Sequence, residues 1–260
     1  MGVRNRAPDR IAKLSLEARD GFCQGISKGD MGAIMASGIE IIPELCVRDT
    51  AAARAMLTGI FGFAGQGDLL ALGEQRIALV QGAGDIGHGG IDHLALAVSD
   101  VPAALSALQA RGAVLEETTP NGPGHIAEFW DAGIAYVFLR GPEGARIELC
   151  SRLPADTRTG LPSHDHIGIP CTDIAASVGF FSGLGFATVH SVSLHRPDGV
   201  TEVRFLSAGR SVVELYEPPA LRGAKNPFTA NSFWRGLRLI GSGLAAGERT
   251  GPDGLRLTLI

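Results

Sequence analysis

His93-Leu-Ala-Leu-Ala-Val-Ser-Asp100 returns further along the chain as His166-Ile-Gly-Ile-Pro-Cys-Thr-Asp173. Each copy opens with a histidine on an apolar, strand-like run and ends at an aspartate suited to cap a helix. About fifty residues beyond each histidine a second strand-like run carries a glutamate, in Arg146-Ile-Glu-Leu-Cys150 and Val212-Val-Glu-Leu-Tyr216. His93, Glu148, His166 and Glu214 are therefore candidate ligands of one divalent metal ion.

Working outward, Gly141-Pro-Glu-Gly-Ala-Arg-Ile-Glu-Leu149 recurs as Gly251-Pro-Asp-Gly-Leu-Arg-Leu-Thr-Leu259, in both cases a turn feeding a strand. Asp49-Thr-Ala-Ala-Ala-Arg54 recurs as Asp173-Ile-Ala-Ala-Ser-Val178, and both copies run on to Gly-Phe-Ala, at 62–64 and 185–187. The chain thus reads as four units in which the first resembles the third and the second resembles the fourth. The fullest units carry an apolar strand, an aspartate-capped helix and three more strands, a βαβββ order.

In the second unit Asp100 caps the helix, Pro102 suits its first turn, Ala104, Leu105 and Leu108 form its apolar face and Gly112 ends it. In the third, Ile174, Val178 and Phe181 make the stripe and Arg196-Pro-Asp-Gly199 a turn between strands. Unit one is compressed, and unit four has lost or shortened its helix. The expected fold class is α+β, repeated βαβββ modules forming curved, cup-shaped mixed sheets, with the fourth module degenerate. Residues 39–150 hold the first pair of modules and 163–260 the second. Residues 1–38 form an N-terminal extension in which Ile11, Leu14, Ala18 and Phe22 permit a short amphipathic helix.

With 45% hydrophobic and 19% charged residues, the 260-residue chain has an ordinary globular composition, and its 36 glycines fit many turns between short elements. A formal charge of -4 and a pI near 6.0 give no footprint for nucleic acid or an anionic membrane, so a small-molecule substrate is the expected partner. No apolar run is long enough to span a bilayer and the start has no signal-peptide character, so the chain reads as cytoplasmic. Cys23, Cys46, Cys150 and Cys171 lack metal-site spacing and read as reduced thiols, with Cys150 on the strand face of Glu148.

Taken singly, each histidine reads as a satisfied core residue and each glutamate as exposed or paired, for example with Arg146 or Arg204. Taken together they change the reading, because carboxylates on otherwise apolar strands are costly to desolvate and a cation would offset that cost. Two imidazoles and two carboxylates suit zinc, nickel, cobalt, iron or manganese with positions left for substrate, whereas structural zinc sites favour cysteine.

The four units, the His-x6-Asp junctions and the Pro-Glu/Asp-Gly strand endings over 39–260 resemble the vicinal oxygen chelate superfamily, which includes glyoxalase I, methylmalonyl-CoA epimerase, extradiol dioxygenases and bleomycin-resistance proteins. The resemblance implies ligands at His93, Glu148, His166 and Glu214. The corresponding positions are Ile42 and Ala78 in unit one and Leu239 and Thr258 in unit four, which are not metal ligands. Pairing unit one with two and three with four would leave two half sites; the expected arrangement is a single site across units two and three, within a chain or exchanged in a homodimer, with units one and four forming a groove without metal.

The resemblance also implies lyase or isomerase chemistry. A metal would hold substrate oxygens and stabilise an enediolate, while Glu148 first, or Glu214, moves a proton between adjacent carbons of a 2-oxo, thioester or acyl-CoA substrate. Pro170 stands where glutathione-dependent members have an arginine, and Val213-Glu-Leu-Tyr-Glu-Pro218 is similar to methylmalonyl-CoA epimerases. An Fe(II) ring-cleaving dioxygenase is the alternative, with His125, His190 or His195 as an acid behind the metal. A non-catalytic small-molecule binding protein of the bleomycin-resistance kind is a further one. Phe129, Trp130, Tyr136 and Phe138 are candidate substrate walls.

Overall fold

A computed structural model describes residues 38–260, and the expected helix over 11–22 lies outside the described residues. Unit one consists of β1 (Glu40–Val47), α1 (Thr50–Met56), a π-helical turn, β2 (Leu69–Leu72) and β3 (Gln75–Gln81). Unit two is β4 (His93–Ala97), α2 (Val101–Gln109), β5 (Gly124–Ile126), β6 (Ile134–Arg140) and β7 (Arg146–Arg152). Unit three is β8 (Ser163–Pro170), α3 (Ile174–Gly183), β9 (Ala187–Arg196), β10 (Gly199–Ala208) and β11 (Ser211–Glu217). Unit four has β12 (Trp234–Ile240), β13 (Gly247–Thr250) and β14 (Arg256–Leu259), with one 3-10 turn at Pro252–Gly254 and no α-helix.

The three aspartates act as the sequence implies: Asp49, Asp100 and Asp173 accept from the amides of Ala52, Ala103 and Ala176 at 2.9, 2.7 and 2.9 Å. Each satisfies one of the orphan donors of its helix start. Leu105 and Leu108 of α2 and Phe181 of α3 are buried against the sheets, where they join β-strand residues such as Leu94, Ile147 and Leu215 in one core. Among the described residues no helix is long and apolar enough to cross a membrane.

Two sheets result. One has eight strands in the order β5-β6-β7-β4-β8-β11-β10-β9, and the other six in the order β13-β14-β12-β1-β3-β2. Unit two therefore shares a sheet with unit three, and unit one with unit four, so each sheet draws strands from both sides of the connection between β7 and β8. The central seams correspond: β4 runs antiparallel to β8, and β1 to β12. Each seam also carries a bulge at the same point, Asp165 between the pairs Ala95/His166 and Leu96/His164, and Arg235 between Glu44/Gly236 and Leu45/Trp234.

The repeated Gly-Pro-acid-Gly turns tie neighbouring units together. Glu143 and Asp253 both adopt left-handed backbone, with φ of 54° and 55°. Glu143 accepts from the amides of Arg48 and Asp49 at 2.8 and 3.0 Å, at the strand-to-helix junction of unit one. Asp253 accepts from the amide and hydroxyl of Thr172 at 2.9 and 2.7 Å, at the same junction of unit three.

Candidate metal centre

The register of the eight-stranded sheet gathers the four sequence-predicted residues. Across the antiparallel seam His93 lies opposite Gly168 and Ala95 opposite His166, so the histidines are diagonal neighbours on one face. On the parallel ladders Ala95 is opposite Glu148 and Gly168 opposite Glu214, which brings each glutamate beside its own unit's histidine. All four come from one chain and are buried, none more than 8% exposed.

Their polar atoms converge on a small volume. His93 Nε2 is 3.1 Å from His166 Nε2, 3.1 Å from Glu148 Oε2 and 3.6 Å from Glu214 Oε2. His166 Nε2 is 3.4 Å from Glu148 Oε2 and 3.2 Å from Glu214 Oε2. Donors about 2.0–2.2 Å from one cation stand roughly 2.8–3.6 Å apart for right-angle to tetrahedral geometry, so these separations fit a single shared ion. His93, Glu148 and His166 form the tight three-donor set, and Glu214 stands against both imidazoles at its edge.

The far nitrogens of both rings are held by aspartates that sequence reasoning missed. Asp92 Oδ2 lies 3.0 Å from His93 Nδ1, and Asp165 Oδ1 lies 2.7 Å from His166 Nδ1. Each aspartate is backed by an arginine: Arg146 bonds Asp92 and also Glu116, and Arg158 reaches Asp165 at 2.7 Å. Such pairs fix the ring orientation and leave Nε2 facing the cluster. Asp165, which reaches the ring of His166 one residue on, is the bulged residue of β8, whereas Asp92 reaches His93 from the residue before β4. The doubled Asp-His dipeptide was the available sequence signal.

Gly168 is a further member of the site. A Cβ there would stand 2.1 Å from His93 Cε1, so the ring of one strand occupies the space a side chain on the next would need. Arg146 does not pair with Glu148, nor Arg204 with Glu214; Arg204 bonds Glu202 at 3.0 Å.

Without a cation the cluster distributes charge as ion pairs. Burial opposes charging His93, but Asp92 and Glu148 outweigh it and raise its pKa to about 9. His166 is likewise raised well above the ordinary range against burial, by Glu214, Asp165 and Glu148. Burial pushes Glu148 up, yet its bonds to His166 and His93 leave it below the usual carboxylate range, and Asp92 falls to about 2 through His93 and Arg146 despite burial. The Cys150 thiol is pushed well up, chiefly by burial, and stays protonated.

Aromatic rings surround the cluster. Phe138 meets the His93 ring edge-to-face at 5.1 Å and Phe205 meets His166 at 5.6 Å. Farther along the same face Trp130 stacks on His190 at 4.7 Å and carries the Arg152 guanidinium 4.0 Å from its ring centre. Of the expected walls, Phe129, Trp130 and Tyr136 pack together with Phe205. His125 and His195 are exposed on β5 and β9.

In the six-stranded sheet the same register identifies the counterparts of the four candidate ligands. Glu44 lies opposite both Ala78 and Gly236, and Arg238 opposite Thr258, so the equivalent positions are Ile42, Ala78, Gly236 and Thr258. Gly236 thus replaces the expected Leu239. Without a capped helix in unit four, nothing local in the sequence fixed that register.

No family model matches the chain, and no curated protein matches it by sequence. By structure it is similar to glyoxalase I from Zea mays, at 16% identity and TM-score 0.63 over 85% of this chain and 92% of that one. The V278E variant of the maize protein gives TM-score 0.66 at 16% identity over 88% and 94%. A Bacillus subtilis protein designated a "putative dioxygenase" gives TM-score 0.53 at 12% identity over 84% and 83%. At these identities the likeness is one of fold, and it bears out the α+β class with βαβββ modules and curved mixed sheets.

Proposed function

We propose that this chain, which has the vicinal oxygen chelate fold, is a metal-dependent lyase or isomerase that moves a proton between adjacent carbons of a small 2-oxo, thioester or acyl-CoA substrate. The observation that carries the reading is the convergence of two imidazole and two carboxylate donors at 3.1–3.6 Å, with both far nitrogens held by aspartates. A divalent cation held by His93, Glu148, His166 and Glu214 would supply Lewis acidity, polarising substrate oxygens and acidifying the neighbouring C–H.

The chain's own residues supply the rest. Asp92 and Asp165 hold the imidazoles so that neither ring turns its N–H toward the substrate. Phe138 and Phe205 keep water from the reacting carbon and thereby strengthen every charge interaction there. Glu148 and Glu214 are the carboxylates available as general base and acid. Glu148 is the more deeply held, and Glu214, at the edge of the tight set, would be the carboxylate better placed to take up a substrate proton.

Glu214→Gln should therefore retain bound metal and lose roughly 10²-fold or more of turnover. Failure of the wild-type protein to take up any divalent metal, or full activity in Glu214→Gln, would sink the proposal. A second reading, an Fe(II) ring-cleaving dioxygenase, is favoured by the tight His93/Glu148/His166 set, a two-histidine, one-carboxylate triad. Catechol-dependent oxygen consumption with Fe(II) would select it, and anaerobic turnover with Ni(II) or Co(II) would select the first.

A further inference from the structure

The six-stranded sheet keeps the architecture of the metal centre and reverses its charge. In the eight-stranded sheet, the positions two residues beyond each histidine are Ala95 and Gly168, whose small size leaves the cluster open. Their counterparts are Glu44 and Arg238, large side chains paired across the seam at 2.9 Å. The bulged position that holds Asp165 behind His166 holds Arg235 instead, 2.9 Å from the same Glu44 carboxylate. Ile42, Ala78, Gly236 and Thr258 offer at most one hydroxyl, so no metal centre is built here, and guanidinium groups occupy the positions of Gly168 and Asp165.

The surplus charge is positive. Arg235, Arg238, Arg249 and Arg256 line a cavity of about 290 Å³ with Glu44 and Glu248 as its lining carboxylates and Asp68 3.2 Å from Arg238, in a chain whose net charge is -4. Glu44 is already shared by two guanidinium groups. Arg249 donates to the carbonyls of Glu248 and Ala245, and Arg256 has no carboxylate partner among the described residues. Arg235 and Arg256 also line an adjoining cavity of about 250 Å³, with Phe228, Trp234, Asn226, Ser232 and Asp253, whose carboxylate is taken up by the amide and hydroxyl of Thr172. Guanidinium forks match the paired oxygens of carboxylate and phosphate groups, and the neighbouring cavity has apolar and amide surface for an organic portion.

We propose that this groove is a second, metal-independent site that binds a small organic ligand through a carboxylate or phosphate group on Arg256, Arg249 and Arg235. The probes are malonate and inorganic phosphate, titrated calorimetrically into full-length protein freed of metal with a chelator. Saturable binding of at least one anion, one per chain, is expected, and the preferred anion identifies the ligand class.

Arg256→Ala should weaken that binding by at least about tenfold, the scale of one charge-assisted hydrogen bond, while metal uptake at the other sheet stays unchanged. Should Arg256→Ala fail to fold, the exposed Arg249→Ala carries the same expectation. His166→Ala should leave anion binding intact. The absence of saturable binding by either anion, indifference to whichever arginine variants fold, or loss of binding in His166→Ala would overturn the assignment.

Discussion

Gly168→Ala places one methyl group where the structure has least room for it. Its Cβ would stand 2.1 Å from His93 Cε1, 2.4 Å from Nε2 and 2.5 Å from Nδ1, whereas carbon atoms pack at about 3.5–4 Å. The ring must retreat by roughly 1.5 Å, yet it is held by Asp92 at 3.0 Å and Phe138 at 5.1 Å. Overpacking of this kind costs about 1–3 kcal/mol, which for a domain of this size lowers Tm by about 2–10 °C. Metal binding suffers more, because ligand positions tolerate only about 0.2 Å. Loss of the His93 donor should weaken affinity at least about 100-fold, beyond the usual effect of a group behind a ligand. The assays are thermal melting and metal titration, with Gly179→Ala as control, since nothing lies within 4 Å of its added Cβ. That helical substitution should be neutral or stabilising by up to about 1 kcal/mol. Wild-type metal affinity in Gly168→Ala would refute the placement of His93.

Asp165→Asn removes the carboxylate behind His166 and should weaken metal binding by about 10–100-fold; an unchanged titration would deny Asp165 that role. The pH dependence of the metal-free protein has a definite sign. His93 titrates near 9 in the folded chain against about 6.5 unfolded, so its stabilising contribution is complete below about pH 6.5 and lost as pH rises through about 9. The loss is on the order of 3 kcal/mol. Asp92, lowered to about 2, contributes above its ordinary pKa and loses that only as pH falls through about 2. Metal binding requires neutral imidazoles and tightens over the same rise. Thermal melts from pH 6.5 to 9 should therefore fall for metal-free protein and hold or rise for metal-loaded protein, and parallel curves would contradict the assignment.

Much of this was legible in the chain, for a physical reason in each case. Asp49, Asp100 and Asp173 mark helix starts because an orphan amide needs a local acceptor, and the Gly-Pro-acid-Gly repeats mark turns because their backbone demands them. His93, Glu148, His166 and Glu214 stood out as polar groups on strands otherwise buried. The residues that escaped depend on neighbours distant in sequence. Asp165 lies next to His166, and strict strand alternation would send it to the opposite face; it sits in the bulge against Ala95 and Leu96 and reaches the ring from there. Gly168 reveals its purpose only once β4 lies beside β8. The pairing of unit two with unit three follows from the candidate ligand positions, because only that pairing gathers both histidines and both glutamates, and the β4–β8 seam makes it.

One ion should bind between units two and three of a single chain. Metal content per chain is to be measured on wild type, His93→Ala and His166→Ala after reconstitution and removal of excess metal. One ion is expected in the wild type and none in either variant. Two ions in the wild type, or undiminished metal in either variant, would rule out a single shared centre.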